Sequence, residues 1–294
     1  MKRQAVEHAR SFGPMSERRA SVLVDIHRST LHYKLKPKND EAVRKRMREL
    51  AQKYHRWGCP QLHWILKREG LVINHKRTER IYNEEKLSLR TKKRKKRPTI
   101  RIQMPPATGP NQVWAMDFIE DRLMTGRRIK AYTLIDEYTK ESLAIEVDTS
   151  LGGQRVVRIL EQVAMERGYP QSIRSDNGPQ FTCKALFGWT YGNSVTHMFI
   201  DPGKPTQNPF IESFHDKFRE EFFSEHWFAT LKEARAMAAE WRWTYNEFRP
   251  HSTLNGLTPC EFARRLPLQD NFKDQNKGEQ QQQTAPKTLL MTGT

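Results

Sequence analysis

Three carboxylates after residue 110 have the type and spacing for metal-dependent phosphate chemistry. Asp117 sits inside an apolar run, Trp114-Ala115-Met116-Asp117-Phe118-Ile119, where a charge is costly unless it is paired or binds a metal. Asp176 stands in Arg174-Ser175-Asp176-Asn177-Gly178, so it can project from the carboxyl edge of a strand while Gly178 permits the turn. Glu212 follows with 35 residues between it and Asp176, room for a helix, a strand and a loop that returns the chain to the same edge. Three hard oxygen donors on rigid elements suit two divalent cations, Mg²⁺ or Mn²⁺, about 3.5–4 Å apart, each serving one oxygen of an in-line phosphoryl transfer. Taken singly, each acid reads as structural. Asp136 and Glu137, in Leu134-Ile135-Asp136-Glu137-Tyr138-Thr139, compete for the same role, so order and spacing decide.

The elements that must position these acids are legible around them. From Gln112 the runs QVWAMDFI, KAYTLID and SLAIEV are short, β-rich and spaced as an antiparallel meander. A helix is predicted over 153–167, then strands at 172–175 and 195–200 with a helix between them. A helical pattern runs from Pro209 through Phe223 and carries Glu212 in its first turns. Another, from Leu231 to Asn246, puts Ala234, Ala238, Trp241 and Tyr245 on one face. Strands first, then mixed strand and helix, predict an α/β domain over residues 111–266. Trp114, Trp241 and Trp243 could stack on bases, but at strand and helix spacing they read as core.

Upstream the chain changes character. Residues 1–100 hold 28 basic and 10 acidic side chains, a net +18, whereas the rest of the 294 residues carries a net −1. Such asymmetry argues for a basic N-terminal module with a polyanion as partner, nucleic acid foremost. Residues 1–39 hold two short helical patterns around Ala20 and Leu31, with Ser29 as N-cap of the second. As a helix-turn-helix they would present Arg28, His32 and Lys34 to a major groove. Residues 40–90 form a second such module. A basic helix spans about 40–54, Gly58-Cys59-Pro60 breaks it, and Leu62, Ile65 and Leu66 form a stripe that Gly70 ends. Asn74 then caps a helix bearing Lys76, Arg77 and Arg80. Residues 91–110 include Lys92-Lys93-Arg94-Lys95-Lys96-Arg97, a linker suited to phosphates without reading sequence. Residues 267–294, rich in Gln, Lys and Asn, are predicted disordered.

At this point the motifs resemble the retroviral-type integrase superfamily with its aspartate, aspartate, 35 residues, glutamate signature. More narrowly, the chain resembles the second-frame, orfB-type transposase of the insertion-sequence-three family. The matching stretches are Trp114 to Phe118, Ile135 to Thr139, Arg174 to Phe181, Pro202 to Asn208, Ile211 to Phe214 and Tyr245-Asn246-Glu247-Phe248-Arg249-Pro250-His251. Upstream, Gly58 through Tyr82 resembles the family's helix-turn-helix. The resemblance implies a ribonuclease-H-like catalytic domain, a mixed five-stranded sheet with flanking helices, preceded by all-α helix-turn-helix modules. It makes Asp117, Asp176 and Glu212 a metal-binding catalytic triad. It also places Arg219, seven residues beyond Glu212, near the DNA ends, and Lys204 and Asn208 in the loop before the catalytic helix, with Asn177 and Gly178 in the turn after the second aspartate. Two departures stand out: Phe210, where small residues are common, and Asp25 in a turn where glycine is usual. The Gln-rich end matches no part of the pattern. The absence of a coiled coil suggests a partner protein from an upstream frame, or a fusion to one.

The expectation is therefore a bacterial DNA transposase that binds double-stranded element and target DNA as a homo-oligomer, then cleaves a phosphodiester and joins the freed 3′-OH to another strand. The alternatives are a ribonuclease-H-type nuclease that does not join, and an inactive DNA-binding relic or repressor. A mean hydropathy of −0.83 and the lack of a run of roughly 18 apolar residues argue against a membrane span. The start lacks a secretion signal, and three scattered cysteines make no disulfide framework, so a cytoplasmic, nucleoid-associated protein is expected. A zinc site at His55, Cys59, His63 and His75 fails on spacing.

Overall fold

A computed structural model describes residues 1–33, 39–89, 106–200 and 208–266. Lys34, Lys92, Lys93, Arg94, Lys95, Lys96, Arg97, Lys204 and the Gln-rich tail lie outside the described residues. The chain divides into two compact units, Met1–Arg44 and the remainder from Lys45, and the division falls within one helix.

The first unit opens with α1 (Lys2–Ser11), α2 (Glu17–Leu23) and α3 (Arg28–His32). The hydrophobic spacing anticipates α2 and α3 but not α1, which buries little beyond Val6. Lys2 and Arg3 tie α1 down by donating to carbonyls of Asp25, Thr30 and Tyr33, supplying donors to the end of α3. Ser16 caps α2 through Arg19 N. The predicted Ser29 cap of α3 is corrected: His27, with extended backbone, is the N-cap, and its Nδ1 accepts from Ser29 N at 3.3 Å. Asp25 adopts φ 50°, the left-handed turn for which glycine is usual and which aspartate tolerates.

Helix α4 (Glu41–Lys53) leads into the second unit. There α5 (Cys59–Arg68) and α6 (His75–Glu84) form the predicted helix pair. Pro60 stands in the first turn of α5, Gly70 leaves the helix at φ +71°, and Asn74 Oδ1 accepts from Lys76 N at 3.0 Å. Met47, Leu50, Leu62, Ile65, Leu66, Val72 and Ile81 are buried.

The rest of this unit is a five-stranded sheet in the order β3-β2-β1-β4-β5. Strands β1 (Val113–Arg122), β2 (Arg128–Asp136) and β3 (Ser142–Asp148) are the antiparallel meander. Helix α7 (Gly153–Arg167) crosses to β4 (Ser172–Ser175), parallel to β1, and α8 (Lys184–Gly192) crosses to β5 (Thr196–Phe199), parallel to β4. Each face of the sheet has its own core. Trp114, Met116 and Leu134 pack with α7 and α8, while Ala115, Ile119 and Ile135 pack with α9 (Pro209–Phe218) and α10 (Leu231–Trp243). The two predicted long helices are not α-helical throughout. Each widens into a π-helical turn, at Arg219–Phe223 and Thr244–Phe248. At the end of the first of these the consecutive Phe222 and Phe223 are both buried, which a regular helix, turning about 100° per residue, does not favour. Helix α11 (Pro259–Arg264) follows with a Thr258/Glu261 capping box.

The helix pair seats on this domain. Tyr54 stacks on Trp57 at 3.9 Å and both lie against Phe248. Arg68 donates to Gly256 O at 2.6 Å and to Glu261 at 2.7 Å. Gly256 has φ +80°, and a Cβ there would come within 2.0 Å of the Trp64 ring, so both its conformation and its neighbour require glycine.

Candidate active site

Strand β1 alternates its faces, and this alternation aims Asp117. Trp114, Met116 and Phe118 point to the α7/α8 side, so Asp117, between Ala115 and Ile119, points to the side covered by α9. Strand β4 lies parallel with Ala115 opposite Arg174. Carrying that offset two residues further puts Asp117 and Asp176 at one level on neighbouring chains. Asp176 is exposed just past β4, where its Oδ1 accepts from Gly178 N at 2.9 Å and Asn177 anchors the turn by donating to Ile200 O at 3.2 Å. Glu212 stands exposed in the first turn of α9, its N–H donating to Asn208 O at 3.2 Å.

The electrostatics link these three acids. Asp117 is pushed up to about 6, first by burial and then by the Asp176 and Glu212 charges, against a hydrogen bond from Phe118 N that lowers it. Glu212 is also raised, by burial and by Asp216. Among the described residues no three His, Cys, Asp or Glu side chains already form a group that could hold a metal ion. The donor set still suits one: three carboxylates from three rigid elements, hard in character, whose mutual repulsion a divalent cation would offset. The competing acids are otherwise engaged. Asp136 accepts from the backbone of Asn111, Tyr138 and Thr139 at 2.8–2.9 Å, and Glu137 pairs with Arg174 at 2.6 Å with both side chains buried. They build the turn between β2 and β3.

His215, one turn beyond Glu212, belongs to this site and was missed in the sequence. Its Nε2 bonds the Thr133 hydroxyl at 2.7 Å, that hydroxyl donates to Asp117 O at 3.1 Å, and Nδ1 lies 3.6 Å from Asp117 Oδ2. Burial, with Arg219 nearby, pushes its pKa down to about 4, so it is neutral at pH 7. The Glu212–His215 spacing of three, one helix face, was the available signal.

The remaining predicted contact residues are dispersed. Arg219 is exposed at the start of the π-helical turn, and Asn208 is buried as N-cap of α9. On α6, Lys76 is exposed, Arg77 is half-buried and Arg80 pairs with Glu84 at 2.9 Å. Within the first unit, Arg28 and His32 both turn to Glu17, at 3.4 and 2.8 Å. Trp114 is fully buried, as expected, whereas Trp243 is 62% exposed, because the α10 face it occupies is turned from the sheet.

Family models match in the same order along the chain: an HTH-like domain over residues 38–96 and an integrase core domain over residues 107–205 and 193–259. Fold and matches together define an integrase-type core preceded by a helix-turn-helix-like module. The 31.7 kDa protein of insertion element IS407 from Burkholderia multivorans is 48% identical, over 85% of this chain and 91% of that one. The 39.2 kDa protein of insertion element IS476 from Xanthomonas euvesicatoria is 42% identical, over 89% and 76%. A chain of the simian T-cell lymphotropic virus intasome is similar over 78% of both chains, with 16% identity and a TM-score of 0.49. The protein belongs to the insertion-sequence-three family of transposases, as an orfB-type member with a retroviral-type integrase core. No helix among the described residues is long and apolar enough to cross a membrane.

Proposed function

We propose that this chain is a metal-dependent DNA strand transferase that cleaves a phosphodiester at an element end and joins the freed 3′-OH to a target strand. The observation that carries this reading is the placement of Asp117, Asp176 and Glu212 on β1, the β4 edge and α9, with Asp117 raised first by burial and then by the charges of the other two. Such a site favours a divalent cation over three bare carboxylates. Asp117, Asp176 and Glu212 would hold two Mg²⁺ or Mn²⁺ ions, which on binding supply activation of the attacking oxygen and charge neutralisation at the leaving one. The chain's own part is placement. The β1/β4 register supports a shared level for the two aspartates, α9 would carry Glu212 towards them, and neutral His215 and Thr133 would hold the Asp117 strand segment. Lys76, Arg77 and Arg80 on α6 and Arg28 on α3 are assigned to element DNA, as are Lys92, Lys93, Arg94, Lys95, Lys96 and Arg97. Arg219, Lys204 and Asn208 are assigned to the DNA near the reacting end. The enzyme would work as an oligomer on DNA, and an upstream-frame partner would complete end recognition.

The test is strand joining of labelled duplexes taken from the DNA flanking this reading frame, with Mg²⁺, using wild type, Asp176→Asn and Glu212→Gln. Joined product in the wild type and its loss by about a thousandfold or more in both variants is expected. Full joining by a folded Asp176→Asn protein would falsify the reading.

A further inference from the structure

On the side of α9 turned away from Glu212 lies a cavity of about 280 Å³ whose polar lining is one-sided. Lys140, Lys217, Arg249 and His251 line it, with the hydroxyls of Ser213, Ser252 and Thr253, and no carboxylate does so among the described residues. We propose that this cavity is an oxyanion subsite that takes a backbone phosphate of bound DNA.

The charges on its walls are unequally paired, although carboxylates outside the lining act on both lysines at a distance, Glu137 on Lys140 and Glu221 on Lys217. Arg249 is buried and already held by Glu221, through Nε at 2.9 Å and Nη2 at 2.6 Å. The two lysines are different. Among the described residues Lys217 donates to Ser213, to its carbonyl at 3.1 Å and its hydroxyl at 2.9 Å. Lys140 donates to the Glu137 carbonyl and lies 3.4 Å above the Phe210 ring. Both are half-buried, and burial pushes both pKa values down, that of Lys140 to about 8. His251 is 6% exposed and its Nε2 is buried without a hydrogen-bond partner. Partly desolvated ammonium groups facing neutral oxygens are costly unless an anion arrives. Lysine amines and hydroxyls are the donors an oxyanion of phosphate size requires.

Position selects DNA as the source. Phe210 and Ser213 bracket Glu212 on α9, while Gln61 brings α5 of the helix-turn-helix-like module to the same cavity. A strand passing from that module to Glu212 would leave a phosphate here, and its binding would brace the helix that carries the acid. This assignment of the ligand rests on the transposase reading; the oxyanion site itself does not.

The test uses the full chain, its Lys140→Met/Lys217→Met variant and a Lys232→Met control, since Lys232 is exposed on α10 and away from the cavity. Inorganic phosphate, against chloride at equal ionic strength and without divalent metal, should raise the melting temperature of wild type and control but not of the double variant. Duplex DNA should compete with phosphate, and the double variant should bind duplex roughly three- to tenfold more weakly than the control. No specific phosphate shift in the wild type, or a shift that survives in the double variant, overturns the subsite. A phosphate shift lost in the double variant with unchanged duplex affinity overturns DNA as its ligand. A wild type that responds to phosphate but joins no strands counts against the transposase reading and leaves the subsite standing.

Discussion

Two acidic regions of the same sheet carry similar residues to opposite ends. In the turn after β2, Asp136 and Glu137 are buried and partnered, the first by three backbone N–H groups and the second by Arg174 through one oxygen, its Oε2 being buried without a partner. At the β1/β4/α9 edge, Asp117 feels the charges of Asp176 and Glu212, and among the described residues no lysine or arginine is paired to it; its near neighbour is a histidine kept neutral by burial. The first region shows how a fold disposes of charge it needs only for shape. The second leaves charge uncompensated, which costs stability and suits a site reserved for a cation.

The sharpest way to separate the two regions is to neutralise each. Asp176→Asn and Glu212→Gln are expected to lower strand joining by about a thousandfold or more, equivalent to about 4 kcal/mol of barrier, while leaving the melting temperature unchanged or slightly raised. Arg174→Met does the reverse. It strands the buried Glu137, so urea unfolding should show a loss of about 3–5 kcal/mol, and a loss under 1 kcal/mol would mean that the pair is not the compensation assigned to it. Asp136→Asn keeps the shape of the turn but weakens three charge-assisted acceptor contacts, and about 1–3 kcal/mol is expected from the same measurement.

The smallest effect is the dependence on pH. Folding raises Asp117 from about 3.9 to about 6, so the folded state holds that proton more tightly. The stability this contributes is fully present below about pH 4 and is lost as pH rises through about 6. Metal-free protein should therefore lose a few degrees of melting temperature over that window from this group, and Mg²⁺ should restore more at pH 7.5 than at pH 5. An equal Mg²⁺ effect at both pH values would place the cation elsewhere.

Much of this comparison is written in the sequence. The alternation around Asp117, the turn residues after Asp176 and the proline-started helix that bears Glu212 fix which element each acid occupies, because period and turn chemistry are local properties. The helix over 153–167 and the meander of three strands are read from the same signals. Local reading falters where packing overrules it. The π-helical turns at Arg219–Phe223 and Thr244–Phe248 interrupt sequences with ordinary helical pattern. Helix α1 has only Val6 buried, so it has almost no stripe to detect. His27 displaces Ser29 as a cap because the chain is still extended at residue 27.

What the sequence determined by itself is the inventory: a basic amino-terminal third, a near-neutral α/β remainder, and three acids in the order and spacing of an integrase core. What only the tertiary structure decided is which charges are left without a partner. Asp136 and Glu137 looked as eligible as Asp117 until Arg174 and the turn amides came to meet them. The cluster of Lys140, Lys217 and His251 has no sequence signature, since 111 positions separate its first and last members. Compensation of charge depends on distances of a few ångströms between residues far apart in the chain, and only folding sets those distances.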